Sequence, residues 1–380
     1  MSDWIQTNAD AIAARTPREL EALVAVSSPS GDVHGAEEAA AVAAALAPDD
    51  AEIERVPCSS PDHAPDLLVR LPGTGTGRGT KRMLLLGHVD TVVAHADHRP
   101  LRREDDRLVG SGTVDMKGGD VLALGILRAL AQRRDEIAEA SLLLVCDEEW
   151  RVGPFKHVER FAGYDACLCF EGGQRAADGR EQVIVKRKAA ATVHVNATGR
   201  SSHSGSAPHR GINALLALAG AAQALAGRHD PDGPEHLTVV PTVIRSGDAF
   251  NVVPDRGELI ADVRADTLDA LREVVGAVPG EIGGARLDAS LMREWPGMDS
   301  RAATAGLLER AGAAIGRPIL GARRGGASDA SHFAPSIPLT VDGLGPLGGG
   351  AHAPHEFVLA SGVRPRAEVA LAIADAVLAE

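Results

Sequence analysis

Three uninterrupted apolar runs constrain this chain more than any other feature: Met83–Leu86, SLLLVC over 141–146, and ACLCF ending at Phe170. Apolar residues in series, without alternation, suit a strand covered on both faces. A helical pattern over 117–133 separates the first run from the second. Strands alternating with helices imply an α/β fold, a mostly parallel sheet with helices on both sides. Upstream, 3–27 and 35–47 read as helices by their apolar spacing and Ala content. Residues 51–56 and 66–71 read as short strands, and PGTGTGRGT (72–80) as a turn. A chain of 380 residues suggests two domains. With 44% apolar but only 3% aromatic residues, Ala, Leu and Val must fill its core.

The texture changes near residue 183. The stretch 190–198 alternates apolar and polar, a helix is expected over 210–227, and HLTVVPTVIRSG and GELIADVRAD form two more alternating strands. A helix near 268–278 and a strand near 285–291 complete a β-α-β-β-α-β order, the pattern of a ferredoxin-like α+β domain. From about 298 the first style returns, with a helix over 301–315. The expected organisation is a first domain in two pieces, 1–187 and 299–380, with 188–298 inserted between them.

A net charge of −13 and a pI near 5.5 argue against nucleic acid as a partner, since phosphate contacts need clustered Lys and Arg. Cys58, Cys146, Cys167 and Cys169 form no CxxC pair and read as buried thiols of a reducing compartment. The start, MSDWIQTNADAIAARTPREL, lacks a basic stretch followed by an apolar one, and no apolar run approaches the ~18–20 residues of a membrane span. A cytoplasmic protein with no membrane partner is expected.

The chemistry concentrates at strand ends, where open α/β sheets build their sites. His88-Val89-Asp90 follows the first apolar run, Asp147-Glu148-Glu149 the second, and Glu171 the third. GSGTVDMKGG puts Asp115 in a Gly-rich loop before a helix, and GGGAHAPHEF puts His352 in another. Each has a bland explanation alone: a satisfied strand-end histidine, acids that suit a helix start, an N-cap aspartate, surface polar residues. Together they would crowd carboxylates into one cleft, where they repel unless a cation compensates. Imidazole and carboxylate without thiolate suit zinc, with manganese or cobalt as alternatives. Five such ligands are too many for one open catalytic ion and fit two sharing a carboxylate.

In this order, HVDTV, GSGTVDMKGG, DEE, FEGG, GRSSHSG and AHAPHEFV resemble the zinc aminohydrolase family of glutamate carboxypeptidases, aminoacylases, acetylornithine deacetylases and succinyl-diaminopimelate desuccinylases. GRSSHSGSAPHRGINALLALA and FNVVPDRGELIADVRA most resemble its bacterial glutamate carboxypeptidase branch. The resemblance implies a zinc-hydrolase catalytic domain with an inserted lid and dimerisation domain. It implies that Asp115 bridges two divalent cations, with His88 and Glu171 on one and Glu149 and His352 on the other. Asp90 would orient His88, and Glu148 would be the general base. His203 would reach the active site of the partner in a homodimer and stabilise an oxyanion. Asn251 and Arg264 would contact substrate, Arg264 at its carboxylate. In GGASDA, Gly326 and Ser328, with Arg324 just before, are further substrate-binding candidates. Two local features depart from the family: bulky Trp150 after the paired acids, and the linker GGQRAADGREQVIVKRK. His352 is preferred over His355 for its spacing to Glu356-Phe357-Val358.

The expected activity is hydrolysis of a peptide or amide bond beside a free carboxylate. An N-acyl amino acid deacylase shares the same residues. A catalytically silent relative that only binds a ligand would typically have lost a metal ligand or the base, and here neither is missing.

Overall fold

The structure is a computed structural model and describes residues 3–75, 80–151 and 153–380. The centre of the expected 72–80 turn, 76–79, and Val152 beside the paired acids lie outside the described residues.

The chain divides into two compact units. One comprises residues 1–186, 299–324 and 328–380; the other comprises Arg187–Met298 and the short segment Gly325–Ala327. In the first, six strands lie in the spatial order Glu52–Val56, Asp66–Pro72, Ile137–Val145, Lys81–His88, Ala166–Cys169, Leu339–Val341. The last four run parallel and Asp66–Pro72 runs against them, so the sheet is mostly parallel. Met83, Leu84, Leu85 and Leu86 are all buried, as an unalternating run on a doubly covered strand requires.

Helix Asp3–Val24 buries Ile5, Ala9, Ile12, Leu20 and Leu23 at helical spacing. Helix Val33–Ala45 starts at Asp32, whose carboxylate accepts from Gly35 N at 2.6 Å. Helix Gly118–Leu130 is apolar around nearly its whole circumference and buried accordingly. Helix Ala360–Leu378 packs against Asp3–Val24 and Arg301–Ile315. Its small side chains (Ala367, Ala370, Ala372, Ala374) are fully buried, the close approach that an Ala-rich, aromatic-poor chain allows.

The second unit carries a five-stranded antiparallel sheet, in the order Thr238–Ser246, Arg256–Ala265, Ala189–Thr198, Ala285–Trp295 and the short Glu281–Ile282. Helices Ala214–Ala226 and Leu268–Val275 cover it, capped by Asn213 and Thr267. With its β-α-β-β-α-β order, this is the ferredoxin-like arrangement. Val193, Val195, Ala261 and Val263 point into its core while alternate residues face out. No helix among the described residues is long and apolar enough to cross a membrane. Among those residues no disulfide forms, and all four cysteines are buried.

Candidate active site

Lys81–His88 ends at His88, Ile137–Val145 leads into Asp147-Glu148-Glu149, and Ala166–Cys169 leads to Glu171. These three strands are adjacent and parallel, so their ends share one edge of the sheet. Asp115 arrives from an irregular turn, Thr113–Lys117, that precedes helix Gly118–Leu130. It does not cap that helix: the helix starts at Lys117 with no side-chain cap. The two glycines of MKGG let the turn sit close. A Cβ on Gly119 would lie 1.9 Å from the carbonyl oxygen of Phe170, and one on Gly118 would lie 2.4 Å from that of Thr113.

Asp115 is shared. Its Oδ1 lies 3.2 Å from His88 Nε2 and its Oδ2 lies 3.1 Å from His352 Nε2. Glu149 Oε2 is 3.3 Å from the same His352 nitrogen, and Glu171 Oε1 is 3.8 Å from His88 Nε2. Glu148 Oε2 stands 4.0 Å from His88 Nε2. All five residues proposed as ligands are therefore brought together, with Glu148 beside them. It is His352, not His355, whose ring meets Asp115. His352 adopts φ 64°, a left-handed conformation uncommon outside glycine and found where a site demands it.

Asp90 does more than touch His88. Its Oδ1 lies 3.3 Å from His88 Nδ1, whose nearer partner is the Asp90 carbonyl oxygen at 3.0 Å. The carboxylate also accepts the backbone N–H groups of Glu148 (3.2 Å) and Glu149 (3.1 Å). One buried side chain thus fixes the strand end and the acidic loop together. Sequence reasoning missed Glu356 in such a role. It accepts from Gly112 N (2.9 Å), Val114 N (2.7 Å) and Asp115 N (2.9 Å), and so holds the turn that carries Asp115. Its only sequence signal was its place in AHAPHEFV.

The electrostatics follow from packing acids and imidazoles in a buried space. Burial alone would lower the His88 pKa, but Asp115, Asp90 and Glu148 more than offset this and hold it well above the usual range. His352 is raised to about 10 by Asp115 and Glu149, against a smaller opposing effect of burial. Asp115 is held below the carboxylate range: burial would raise it, but His352 and His88 prevail. Burial pushes Glu148 well up; His88 opposes, and Glu171, Asp329 and Glu149 add to the rise. Glu149 is raised for the same first reason. His88 and His352 thus have raised proton affinity among the carboxylates. Divalent cations would displace those protons. Nitrogen–oxygen separations of 3.1–3.8 Å are close to those between neighbouring ligands of a cation with bonds of ~2.0–2.2 Å. His88, Asp115 and Glu149 each offer a donor atom within 4.8 Å of the others. The donor set therefore fits borderline divalent ions.

The remaining candidates lie elsewhere. In the second unit, His203 is exposed on Ser202–His203, which pairs with Val252–Val253, and Ser204 N donates to the carbonyl of Asn251 (3.0 Å). His203 Nδ1 accepts from Gly205 N (3.0 Å) and Ser206 N (3.1 Å), so a neutral ring carries its proton on Nε2. Arg264 donates to Asp262 (2.9 Å) and to the carbonyl of Gly325 (3.0 Å); the carbonyl of Gly326 accepts from Arg187 (2.8 Å). In the first unit, Arg324 donates to Gly172 O (3.0 Å) and Gln174 Oε1 (2.9 Å). Ser328 is fully buried and its hydroxyl donates to Asp342 (2.7 Å), which turns it inward. Trp150 is 60% exposed and does not pack under the acidic loop. Asp147, first of the three acids, faces Arg151 and Ser60.

The chain is similar to known proteins. Carboxypeptidase G2 of Pseudomonas sp. (strain RS-16) is 28% identical over 352 residues, covering 88% of this chain and 82% of that protein. Succinyl-diaminopimelate desuccinylase of Rhodospirillum centenum is 32% identical over 195 residues, about half of each chain (48% and 50%). The crystal structure of aminopeptidase PepT from Bacillus cereus shares the fold, with a TM-score of 0.76 at 21% identity over 96% of this chain and 98% of that one. The family model described as peptidase family M20/M25/M40 matches residues 84–376, and the chain belongs to that family.

Proposed function

We propose that this chain is a two-metal hydrolase of peptide or amide bonds next to a free carboxylate, with C-terminal glutamate-like substrates as the first class. The observation that carries this reading is the shared Asp115, one oxygen toward His88 and the other toward His352. His88, Asp115 and Glu171 would hold one cation; Asp115, Glu149 and His352 would hold the other. Zinc is the first choice, with manganese or cobalt as alternatives. Such cations supply Lewis acidity, lowering the pKa of water toward ~7 and polarising a carbonyl.

Glu148 is an acid beside this group that is not assigned as a ligand, and burial raises its affinity for a proton, which suits a general base. It takes a proton from the attacking water and passes it to the leaving nitrogen. Asp90 keeps Glu148 and Glu149 in register through their backbone N–H groups. His203, with its proton on Nε2, is a donor suited to a developing oxyanion. Arg264 and Asn251 would bind the substrate's carboxylate and terminal groups, with Arg324 and the Gly326 backbone as further contacts. We further propose a homodimer through the inserted domain and a cytoplasmic setting, both carried by the sequence alone.

Relatives named for desuccinylase activity support a second reading on the same residues, cleavage of an N-acyl amino acid. A panel of Xaa-Glu peptides and N-acyl amino acids, run with zinc, manganese and cobalt, separates the two. Glu148→Gln should retain its cations and lose turnover on the order of 10²–10⁴-fold. Turnover equal to the unsubstituted enzyme would refute the role given to Glu148.

A further inference from the structure

A second group of ligand-type side chains lies in the first unit. Cys58, Asp66 and Asp147 each bring a donor atom to within 4.8 Å of the others. They are 7%, 0% and 0% exposed. His157, 4% exposed, adds its Nε2 at 2.7 Å from Asp66 Oδ2. The four come from separate places: the loop after Glu52–Val56, the first residue of Asp66–Pro72, the end of Ile137–Val145, and the residue before the turn Val158–Phe161. None belongs to the Asp115 group.

We propose that Cys58, Asp66, Asp147 and His157 form a site for a further divalent cation of the zinc class, structural rather than catalytic. The donor set decides the class. One sulfur, one imidazole nitrogen and two carboxylates suit zinc or cobalt, whereas a thiolate ligand disfavours magnesium and calcium. Bonds of ~2.0–2.3 Å in a tetrahedron place neighbouring ligand atoms ~3.3–3.7 Å apart. Donor atoms of Cys58, Asp66 and Asp147 already lie within 4.8 Å of one another and His157 Nε2 lies 2.7 Å from Asp66 Oδ2, so side-chain adjustments would close the shell. Four protein ligands leave no open position, the mark of a structural site.

The cluster holds protons that a cation can replace. Burial pushes the Cys58 thiol far above its usual range, and Asp66 and Asp147 add to this. Burial also raises Asp66, against the hydrogen bond from His157. On binding, the Cys58 thiol and the Asp66–His157 pair each release a proton to solvent, with no change of oxidation state. Asp147 stays fixed meanwhile, since Arg151 (2.8 Å) and Ser60 N (2.9 Å) hold its two oxygens. The cation would tie the 57–65 loop to the residue preceding Glu148. This inference does not depend on how many cations the Asp115 group holds.

Sulfur is the signature, because the Asp115 group contains none. The full-length protein is loaded with zinc and with cobalt. Zinc X-ray absorption should show a sulfur shell near ~2.3 Å, and the cobalt form a thiolate charge-transfer band in the near ultraviolet. Cys58→Ser should lose both signals and one equivalent of bound metal; Cys167→Ser should keep all three. A nitrogen- and oxygen-only shell in the unsubstituted protein overturns the proposal, as does a sulfur signal that survives in Cys58→Ser. Should Cys58→Ser fail to fold, Asp66→Asn serves as the ligand-loss variant: loss of one metal equivalent supports the site, and unchanged stoichiometry overturns it.

Discussion

Replacing Arg151 with Met is the sharpest test of what holds the acidic loop. Arg151 is 1% exposed, and its partners Asp147 and Asp329 are 0% and 3% exposed. Its guanidinium donates from Nε (3.1 Å) and Nη2 (2.8 Å) to Asp147 Oδ1, from Nη2 to Asp329 Oδ2 (2.7 Å), and from Nη1 to Asp329 Oδ1. It also lies 4.5 Å from the ring centroid of Phe155. Met keeps most of the apolar volume but strands two buried carboxylates without their cation. Breaking a buried pair in this way costs about 3–5 kcal/mol, a large part of the ~5–15 kcal/mol that holds a typical protein together. Thermal unfolding followed by circular dichroism should show a midpoint lowered by about 4–6 °C. The pH dependence has a definite sign. Asp147 is now kept below the usual range: burial would raise it, but Arg151 prevails. Without Arg151 the stranded acids hold protons more tightly in the folded than in the unfolded chain. The deficit should therefore be largest at neutral pH and shrink as pH falls toward ~4. Adding Asp147→Asn and Asp329→Asn should recover much of the loss. A midpoint within ~1 °C of the unsubstituted protein at pH 7, or a deficit that grows in acid, would refute this reasoning.

Other outcomes follow from the same geometry. Glu356→Ala removes the acceptor of three backbone N–H groups, each worth about 1–3 kcal/mol if left unsatisfied; lower stability and weaker retention of metal, read by calorimetry and elemental analysis, are expected. Asp120 is fully buried, its oxygens have no hydrogen-bond partner among the described residues, and burial holds its pKa well above the usual carboxylate value. The folded chain thus binds a proton that the unfolded chain releases above ~4, so stability falls as pH rises; Asp120→Asn should lose that slope, and paired denaturation curves at pH 5 and pH 8 measure it. Removal of divalent cations by a chelator should abolish amide hydrolysis, and their return should restore it; activity that persists in rigorously metal-free protein would contradict the two-metal reading.

Much of the scaffold was legible because the core strands carry no alternation and the second unit's strands do. Met83–Leu86 and the alternating 190–198 differ in how many faces they bury, and the sequence records that directly. Helix Ala360–Leu378 was harder to see. Pro365 and two Arg residues, Arg364 and Arg366, interrupt its apolar pattern, and Arg366 is fully buried with its charge answered by Glu181 and backbone carbonyls. The gathering of His88, Asp115, Glu149, Glu171 and His352 was foreseeable because three of them follow strand ends. The supporting residues were not. Glu356 acts through backbone N–H groups 241–244 positions away, and Arg151 neutralises an acid 178 positions away; neither separation leaves a periodic trace. Asp147 looked like one of three equivalent acids, yet its side chain engages Arg151 and Ser60 rather than the Asp115 group.

Asp90 has a consequence for how the molecule breathes. Because it accepts the amides of Glu148 and Glu149 two residues beyond His88, that short loop is spliced to a central strand rather than left to fray on its own. Its amide protons should exchange with heavy water about as slowly as those of the strand, in one cooperative opening unit. A segment that reads by composition as a charged surface turn would then be among the last parts of the first unit to open.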